Sequence, residues 1–465
     1  MNKTLIISDP SNGDTVANVG DMSAKEMHKL LSSMRLVPSD KYQAASRLRK
    51  VADSLSENID EWASLISRES GLSLVDTRYE VARASKVALY ASRFSKDSLE
   101  LSSGEKYQLG DEDSSIDFKI CSKPIGLIFA ITPFNHPLNQ VAHKVLPALA
   151  AGASIVVKPS PKTPLSCVKL IELLWSVGFS RHQVNYIVTS EPEEALALAL
   201  ACDMVEMVTF TGSTVIGRSI NKQIANSDRW NIKFICELGG NSPLMVFKPS
   251  DLRKATEIIL NGCFKNSGQR CSAIRRVIVH EKVADTLIEV LLLKLRNFKF
   301  GHFSDPDNLM GTQIDCNAAD LIRYRVKSAV LQGAKLVHGA LSENTAFIGP
   351  LVLDHVTPEM EIVALETFGP VCCIIRVASD SEVLACARQD SYGLAAAAVT
   401  LDKKWVEKII SGLDVGQINF NAHPGFRFES APFGGYGDSG NHSKEGVVEA
   451  IKSMRKVSSV YFHND

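Results

Sequence analysis

The stretch Gly126-Leu-Ile-Phe-Ala-Ile-Thr-Pro-Phe-Asn-His-Pro137 decides the fold. Leu127 to Thr132 is a short uncharged run that reads as a buried strand, and the residues from Pro137 to Ala151 read as the helix behind it. The same alternation continues downstream. Ser154 to Val157, Gln183 to Val188 and Met207 to Thr211 read as strands, and Pro164 to Val177 as a helix. Apolar strands alternating with helices form a parallel sheet wound by helices, whose ligands sit beyond the carboxyl ends of the strands. This is a nucleotide-binding layout.

A second alternating stretch starts at Ser242, with a strand to Phe247, a helix from Leu252 to Phe264, a strand from Arg276 to His280, a helix to Phe298, and strands around Val352 and from Val371 to Val377. The Gly-Gly turn within Glu237 to Asn241 is the natural boundary between the two stretches. The first hundred residues read as mostly helical: Ser23 is a candidate N-cap, and Tyr42 to Arg68 and Glu80 to Phe94 repeat apolar residues at three and four. The polar segment Ser102 to Asp117 breaks this pattern. With Phe118 to Cys121 it reads as a loop and hairpin projecting from the body.

At 465 residues the chain exceeds one ordinary core, and two or three domains are expected. A net charge of −1 with dispersed Lys and Arg gives no support for nucleic-acid or polybasic membrane binding. No apolar run reaches bilayer length and the first residues lack a secretory core, so a cytosolic protein is expected. Ten cysteines without regular spacing and without Cys-x-x-Cys argue against a disulfide framework and against a metal site.

Of these cysteines, Cys121, Cys167, Cys202, Cys236, Cys263, Cys372, Cys373 and Cys386 lie in or beside apolar runs, and Cys316 reads as a surface residue. Cys271 differs. It stands in Asn266-Ser-Gly-Gln-Arg-Cys-Ser-Ala273, where Gly268 lets the backbone approach a ligand and Arg270, Arg275 and Arg276 would favour a thiolate. With the carboxylate of Glu237-Leu-Gly-Gly-Asn-Ser-Pro243 it supplies the ingredients for covalent chemistry on a carbonyl. On the residues alone a structural thiol is an equal alternative. Gly212-Ser-Thr-Val-Ile-Gly217-Arg218 nearly spells a P-loop, but Arg218 replaces its lysine, and a helix N-terminus facing a dinucleotide pyrophosphate is the better reading.

Glu237 to Pro243, Gly268 to Cys271, Thr132 to Pro137, Phe210 to Thr214, Glu366 to Val371 and Pro432 to Gly435 together resemble the aldehyde dehydrogenase superfamily, in its order and along nearly the whole chain. The resemblance implies an α/β fold with two Rossmann-like parallel-sheet domains and a small β oligomerisation arm. Residues 1–105 and 124–236 would form the dinucleotide-binding domain, 237–440 the catalytic domain, and 106–123 with 441–465 the arm, in which Lys456 to Phe462 supplies a strand. It implies NAD(P)-dependent oxidation of an aldehyde, with Cys271 as nucleophile, the Asn135 amide in the oxyanion hole and Glu237 as general base. Without the family, Asn135 reads as a helix cap and Glu237 as a carboxylate capping the Gly-Gly turn.

The resemblance also assigns cofactor contacts to Thr132, Pro133, Phe134, Lys158, Ser160, Lys162, Gly212, Ser213, Leu238, Glu366 and Phe368. Related dehydrogenases usually carry Glu where this chain has Val215. Many NAD-preferring relatives place a glutamate three residues after the lysine corresponding to Lys158, and here that position is Pro161, followed by Lys162. NAD or NADP is expected, with a slight lean to NAD. Arg270, Arg427, His136 and Arg83 would border the aldehyde, suited to phosphonate, phosphate or carboxylate, with ordinary salt bridging as the alternative. The motifs look most like phosphonoacetaldehyde and phosphonoformaldehyde dehydrogenases, near lactaldehyde and non-phosphorylating glyceraldehyde-3-phosphate dehydrogenases. A homodimer or homotetramer is expected; a CoA-acylating enzyme and a non-catalytic protein on the same fold are the readings from other classes.

Overall fold

The computed structural model describes residues 3–37, 40–97, 116–248 and 250–463. Its five-stranded sheet runs Val184–Tyr186, Ser154–Lys158, Leu127–Ile131, Val205–Thr211, Lys233–Glu237, and every neighbouring pair is parallel. Successive residues of a strand point to opposite faces. Ile128, Ala130, Ile155 and Val157 therefore pack under helices Lys41–Glu57, Leu74–Asp97 and Asn139–Ala151, while Leu127, Phe129, Val156 and Val208 pack on the other side. The chain enters at Leu127–Ile131, moves outward through two strands, and returns on the opposite side with Val205–Thr211. The order reverses between those two strands, and a crevice opens at their carboxyl ends. Thr132 to Asn135 and Gly212 to Ser213 emerge there.

A seven-stranded sheet runs Lys335–His338, Leu351–Asp354, Val371–Val377, Ile274–His280, Ser242–Val246, Ala395–Val399, Gln417–Phe420, parallel except for its first pair. Cys372 and Cys373 face its opposite sides, both in core. The α/β class with two parallel sheets is the one the alternation predicts. Arg455–His463 pairs antiparallel with Ile116–Pro124, as expected for the C-terminal strand; residues 102–115 of the expected loop lie outside the described residues. No helix among the described residues is long and apolar enough to cross a membrane.

Three features differ from the sequence reading. The helical N-terminus is preceded by an antiparallel hairpin of Thr4–Ser8 and Thr15–Gly20. The stretch Tyr42 to Arg68 divides at Asn58 into helices Lys41–Glu57 and Ile59–Ser70. Helix Val447–Ser453, placed in the arm by the domain scheme, instead buries Val447, Ala450 and Ile451 in the core beneath the five-stranded sheet.

Candidate active site

The crevice holds a cavity of about 510 Å³. The five-stranded side contributes Pro133, Phe134, Asn135, Lys162, Gly212, Ser213 and Leu238, and the seven-stranded side Gln269, Cys271, Asp315, Glu366 and Phe368. Phe134 and Phe368 meet edge to face across it, with ring centroids 6.0 Å apart. Ser213 caps helix Thr214–Ala225, whose amino end points into the crevice, and Leu238 lies so close to Gly217 that a Cβ there would sit 2.4 Å from its Cδ2. Arg218, in the P-loop lysine's place, pairs with Asp438.

The loop carrying Cys271 is wound in an unusual way. After a π-turn at Leu260–Phe264, Asn266, Ser267 and Gly268 take left-handed φ values of 59°, 54° and 69° in succession. A Cβ on Gly268 would lie 2.1 Å from the Gly369 carbonyl, so only glycine fits. Left-handed non-glycine residues each cost on the order of 1–3 kcal/mol and persist when neighbours fix them. Here the Asp76 carboxylate accepts from the Asn266 N–H (2.8 Å), and the Asn266 amide donates to the carbonyls of Asn135 (3.0 Å) and Gln269 (3.2 Å). The Asn135 side-chain NH₂ donates to the Gln269 carbonyl at 2.8 Å. One of its two hydrogens is thus spent anchoring it beside the nucleophile loop, and the other is left for a ligand.

The expected electropositive setting of Cys271 is corrected. Arg275 donates to the carbonyls of Gly369, Gly268 and Arg270, Arg276 to that of Asn241 while pairing with Asp390, and Arg270 to those of Asn261 and Gly262. Arg275 and Arg270 brace the loop and the turn leading into it, and Arg276 is spent outside it. Burial instead pushes the Cys271 thiol up to about 11; the Glu366 and Glu237 carboxylates add to the rise, and the Arg427 charge opposes it. Without ligands, alkylation of Cys271 by iodoacetamide is expected to climb steadily to about pH 10. Peptide mapping separates it from the exposed Cys121, which the sequence placed among buried thiols, and from Cys316. A plateau near neutral pH contradicts this account of the thiol.

Glu237 ends strand Lys233–Glu237, is 3 % exposed, and has no hydrogen-bond partner for either carboxylate oxygen among the described residues. Burial raises its pKa well above the usual carboxylate range, Glu445 adds to the rise, and Lys144 and Lys444 oppose it. A Cβ on Gly434, in the Pro-Phe-Gly-Gly motif, would lie 2.6 Å from its Oε1. Beside it is a buried ion pair that the sequence reading missed: Lys144 donates to Glu445 (2.6 Å) and to the Thr209 hydroxyl (2.8 Å). The signal was a histidine and a lysine, His143 and Lys144, in the otherwise apolar run Val141 to Ala151.

Glu366 accepts from the Gly240 N–H (3.1 Å), and a Cβ on Gly239 would lie 2.4 Å from its Oε2. Thr132, Lys158 and Ser160 are not among the lining residues. Thr132 Oγ1 is buried with no hydrogen-bond partner among the described residues, Ser160 accepts from the Lys162 N–H, and Lys158, brought down to about 8 by burial, donates to the Pro159 carbonyl. Lys162 lines the cavity but is paired with Asp315.

Of the four expected substrate contacts, Arg83 is neutralised by Glu429 through both carboxylate oxygens, and His136 faces Glu80 at 3.5 Å. Glu429 also binds the buried His143 (2.7 Å), a second pair that the sequence reading missed. Arg427 lies with its guanidinium carbon 3.8 Å from the Phe433 ring centroid and its Nη2 3.5 Å from His143 Nε2, and its buried Nη1 has no hydrogen-bond partner among the described residues. Arg270 Nη1 and His423 Nδ1 would each lie 3.3 Å from a Cβ on Gly425, and burial with the Arg270 charge brings His423 down to about 3. Arg270 Nε and His136 Nδ1 are likewise buried without a hydrogen-bond partner among the described residues; what sets Arg427 apart is that its charge opposes the rise of the Cys271 pKa.

A cysteine lining the switch-point crevice of a doubly wound sheet, with a buried carboxylate that has no hydrogen-bond partner among the described residues but does not itself line the cavity, suits covalent chemistry on a carbonyl beside a dinucleotide. The chain belongs to the aldehyde dehydrogenase family, whose profile matches residues 1–460. It is 33% identical to the sulfoacetaldehyde dehydrogenase of Neptuniibacter caesariensis, over 89% of this chain and 88% of that protein. It is 31% identical to the lactaldehyde dehydrogenase of Methanococcus aeolicus, over 98% and 97% respectively. The glyceraldehyde-3-phosphate dehydrogenase of Methanocaldococcus jannaschii, solved with NADP, superposes with a TM-score of 0.90 at 27% identity, covering 100% of both chains. The protein is an aldehyde-oxidising enzyme that uses a nicotinamide cofactor.

Proposed function

We propose that this enzyme oxidises a small aldehyde bearing a terminal phosphonate or sulfonate to its carboxylic acid, with NAD as the preferred hydride acceptor. The observation carrying the reading is that Cys271 and Asn135 line one cavity with Glu366 and Phe368. Cys271 adds to the carbonyl as thiolate, and the free hydrogen of the Asn135 amide, with the Cys271 backbone N–H, holds the resulting oxyanion. One such donor is worth about 3 kcal/mol in the transition state. Glu366 and Phe368 would hold the nicotinamide ribose and ring, and the cofactor when bound would supply the hydride acceptor that lets the adduct on Cys271 become a thioester. Glu237 then takes a proton from water, whose oxygen attacks the thioester and releases the acid and the thiol. The Glu237 pKa, raised by burial, brings its basicity toward that needed to activate water near neutral pH. The reading includes a cytosolic homodimer or homotetramer assembled through the two-stranded arm.

The anionic substrate is supported by the unpartnered Arg427 Nη1 and by the likeness to a sulfoacetaldehyde dehydrogenase. A hydrogen bond to a charged group contributes about 1.5–3 kcal/mol. Arg427→Met is therefore expected to lower kcat/KM for phosphonoacetaldehyde and sulfoacetaldehyde by roughly 10- to 100-fold. Propionaldehyde and lactaldehyde should lose markedly less, only the part that Arg427 exerts through the Cys271 thiol. The test is a steady-state panel of wild type and variant with all four aldehydes. Neutral aldehydes outperforming both anions in the wild type would remove the anion site.

A further inference from the structure

In doubly wound folds the adenosine ribose hydroxyls lie at the carboxyl end of the second strand, where an acidic side chain commonly receives the 2′-hydroxyl. Here that strand is Ser154–Lys158, and it runs into Pro159-Ser-Pro-Lys162 without any carboxylate. A carboxylate arrives from the opposite wall. Asp315 caps helix Cys316–Leu331, its Oδ1 accepting from the Ala318 N–H at 2.8 Å, and its Oδ2 pairs with Lys162. Both side chains line the cavity, and they belong to different sheets' halves of the chain. The pair retains solvent contact, with 49% of the Lys162 side chain and 33% of the Asp315 side chain exposed.

We propose that Asp315 makes the enzyme select NAD over NADP, by engaging Lys162 and presenting its own negative charge to the adenosine 2′-position. The inference rests on reading the cavity as the dinucleotide site. A 2′-hydroxyl donates to a carboxylate, whereas a 2′-phosphate is repelled by it and must draw Lys162 away from its partner. Lys162 alone, two residues beyond Ser160, favours the phosphate; paired with Asp315 it does not. The cap holds the carboxylate in place, so the repulsion is built into the resting site.

The test is fluorescence titration of the full-length enzyme with NADH and with NADPH, without aldehyde, for wild type, Asp315→Asn and Asp315→Asn/Lys162→Gln. Asparagine caps helices as well as aspartate does, so the helix start is retained. The wild type is expected to bind NADH more tightly. Asp315→Asn should tighten NADPH by about tenfold relative to NADH at low salt, and the second substitution should remove that gain. An unchanged NADPH-to-NADH ratio in Asp315→Asn, or a wild type that prefers NADPH, overturns the inference while leaving the dehydrogenase reading intact. Binding of neither dinucleotide would instead sink that reading and this inference with it.

Discussion

Replacing Cys271 with serine is expected to lower aldehyde oxidation by at least about 10⁴-fold while leaving dinucleotide binding and thermal stability close to wild type. Serine is nearly isosteric, and Cys271 contributes little to any core cluster, packing only at the edge of one with Leu394, Ala395 and Phe433. A hydroxyl is far less acidic than a thiol, and no described side chain stands ready to deprotonate it. Even the thiol pKa is pushed up to about 11, by burial first and by Glu366 and Glu237 with it, so the nucleophile depends on sulfur's intrinsic reactivity and on what enters the cleft. The check is an absorbance assay of nicotinamide reduction beside a binding titration. Retained turnover with serine would place the nucleophile elsewhere; loss of folding would be visible in the melting curve.

Replacing Glu237 with glutamine is expected to leave the first turnover largely intact and to slow later ones by about 10²–10³-fold, the usual worth of a general base. The carboxylate is needed after hydride departure, when the thioester meets water. The pH dependence carries a sign. The pKa is raised by burial and Glu445, so Glu237 is protonated at acid pH, and the steady-state rate should rise with pH as it ionises. The variant should lose that rising limb. Stopped-flow absorbance reads both effects: a burst of reduced cofactor close to one equivalent per site, then a slow phase. An unchanged steady-state rate would show that another group activates the water.

Much of this site was legible because its backbone needs are written in short motifs. Gly268, Gly239 and Gly434 are glycines because a Cβ would strike Gly369, Glu366 and Glu237, and such steric demands leave a fixed local signature. Long-range charge pairing leaves none. Arg83 meets Glu429 across 346 positions and Lys144 meets Glu445 across 301, so the sequence left the first open between a substrate contact and a salt bridge, and the second was passed over. Proximity in sequence misled in the other direction. Arg275 and Arg276 are close to Cys271 along the chain, but side chains on strand Ile274–His280 are directed by the pleat, and both guanidiniums go to backbone carbonyls. The N-terminal hairpin was readable and was not read: Asn12-Gly13 between short apolar runs is a strong turn signal, and Gly13 has φ 79°.

The account turns on a covalent acyl group at one sulfur. Rapid quenching of Glu237→Gln with NAD and aldehyde, followed by peptide mass mapping, measures it directly. The predicted result is an added mass equal to the acyl group on the peptide containing Cys271, appearing with the burst. An adduct on any other cysteine, or a full burst without any adduct, would contradict it.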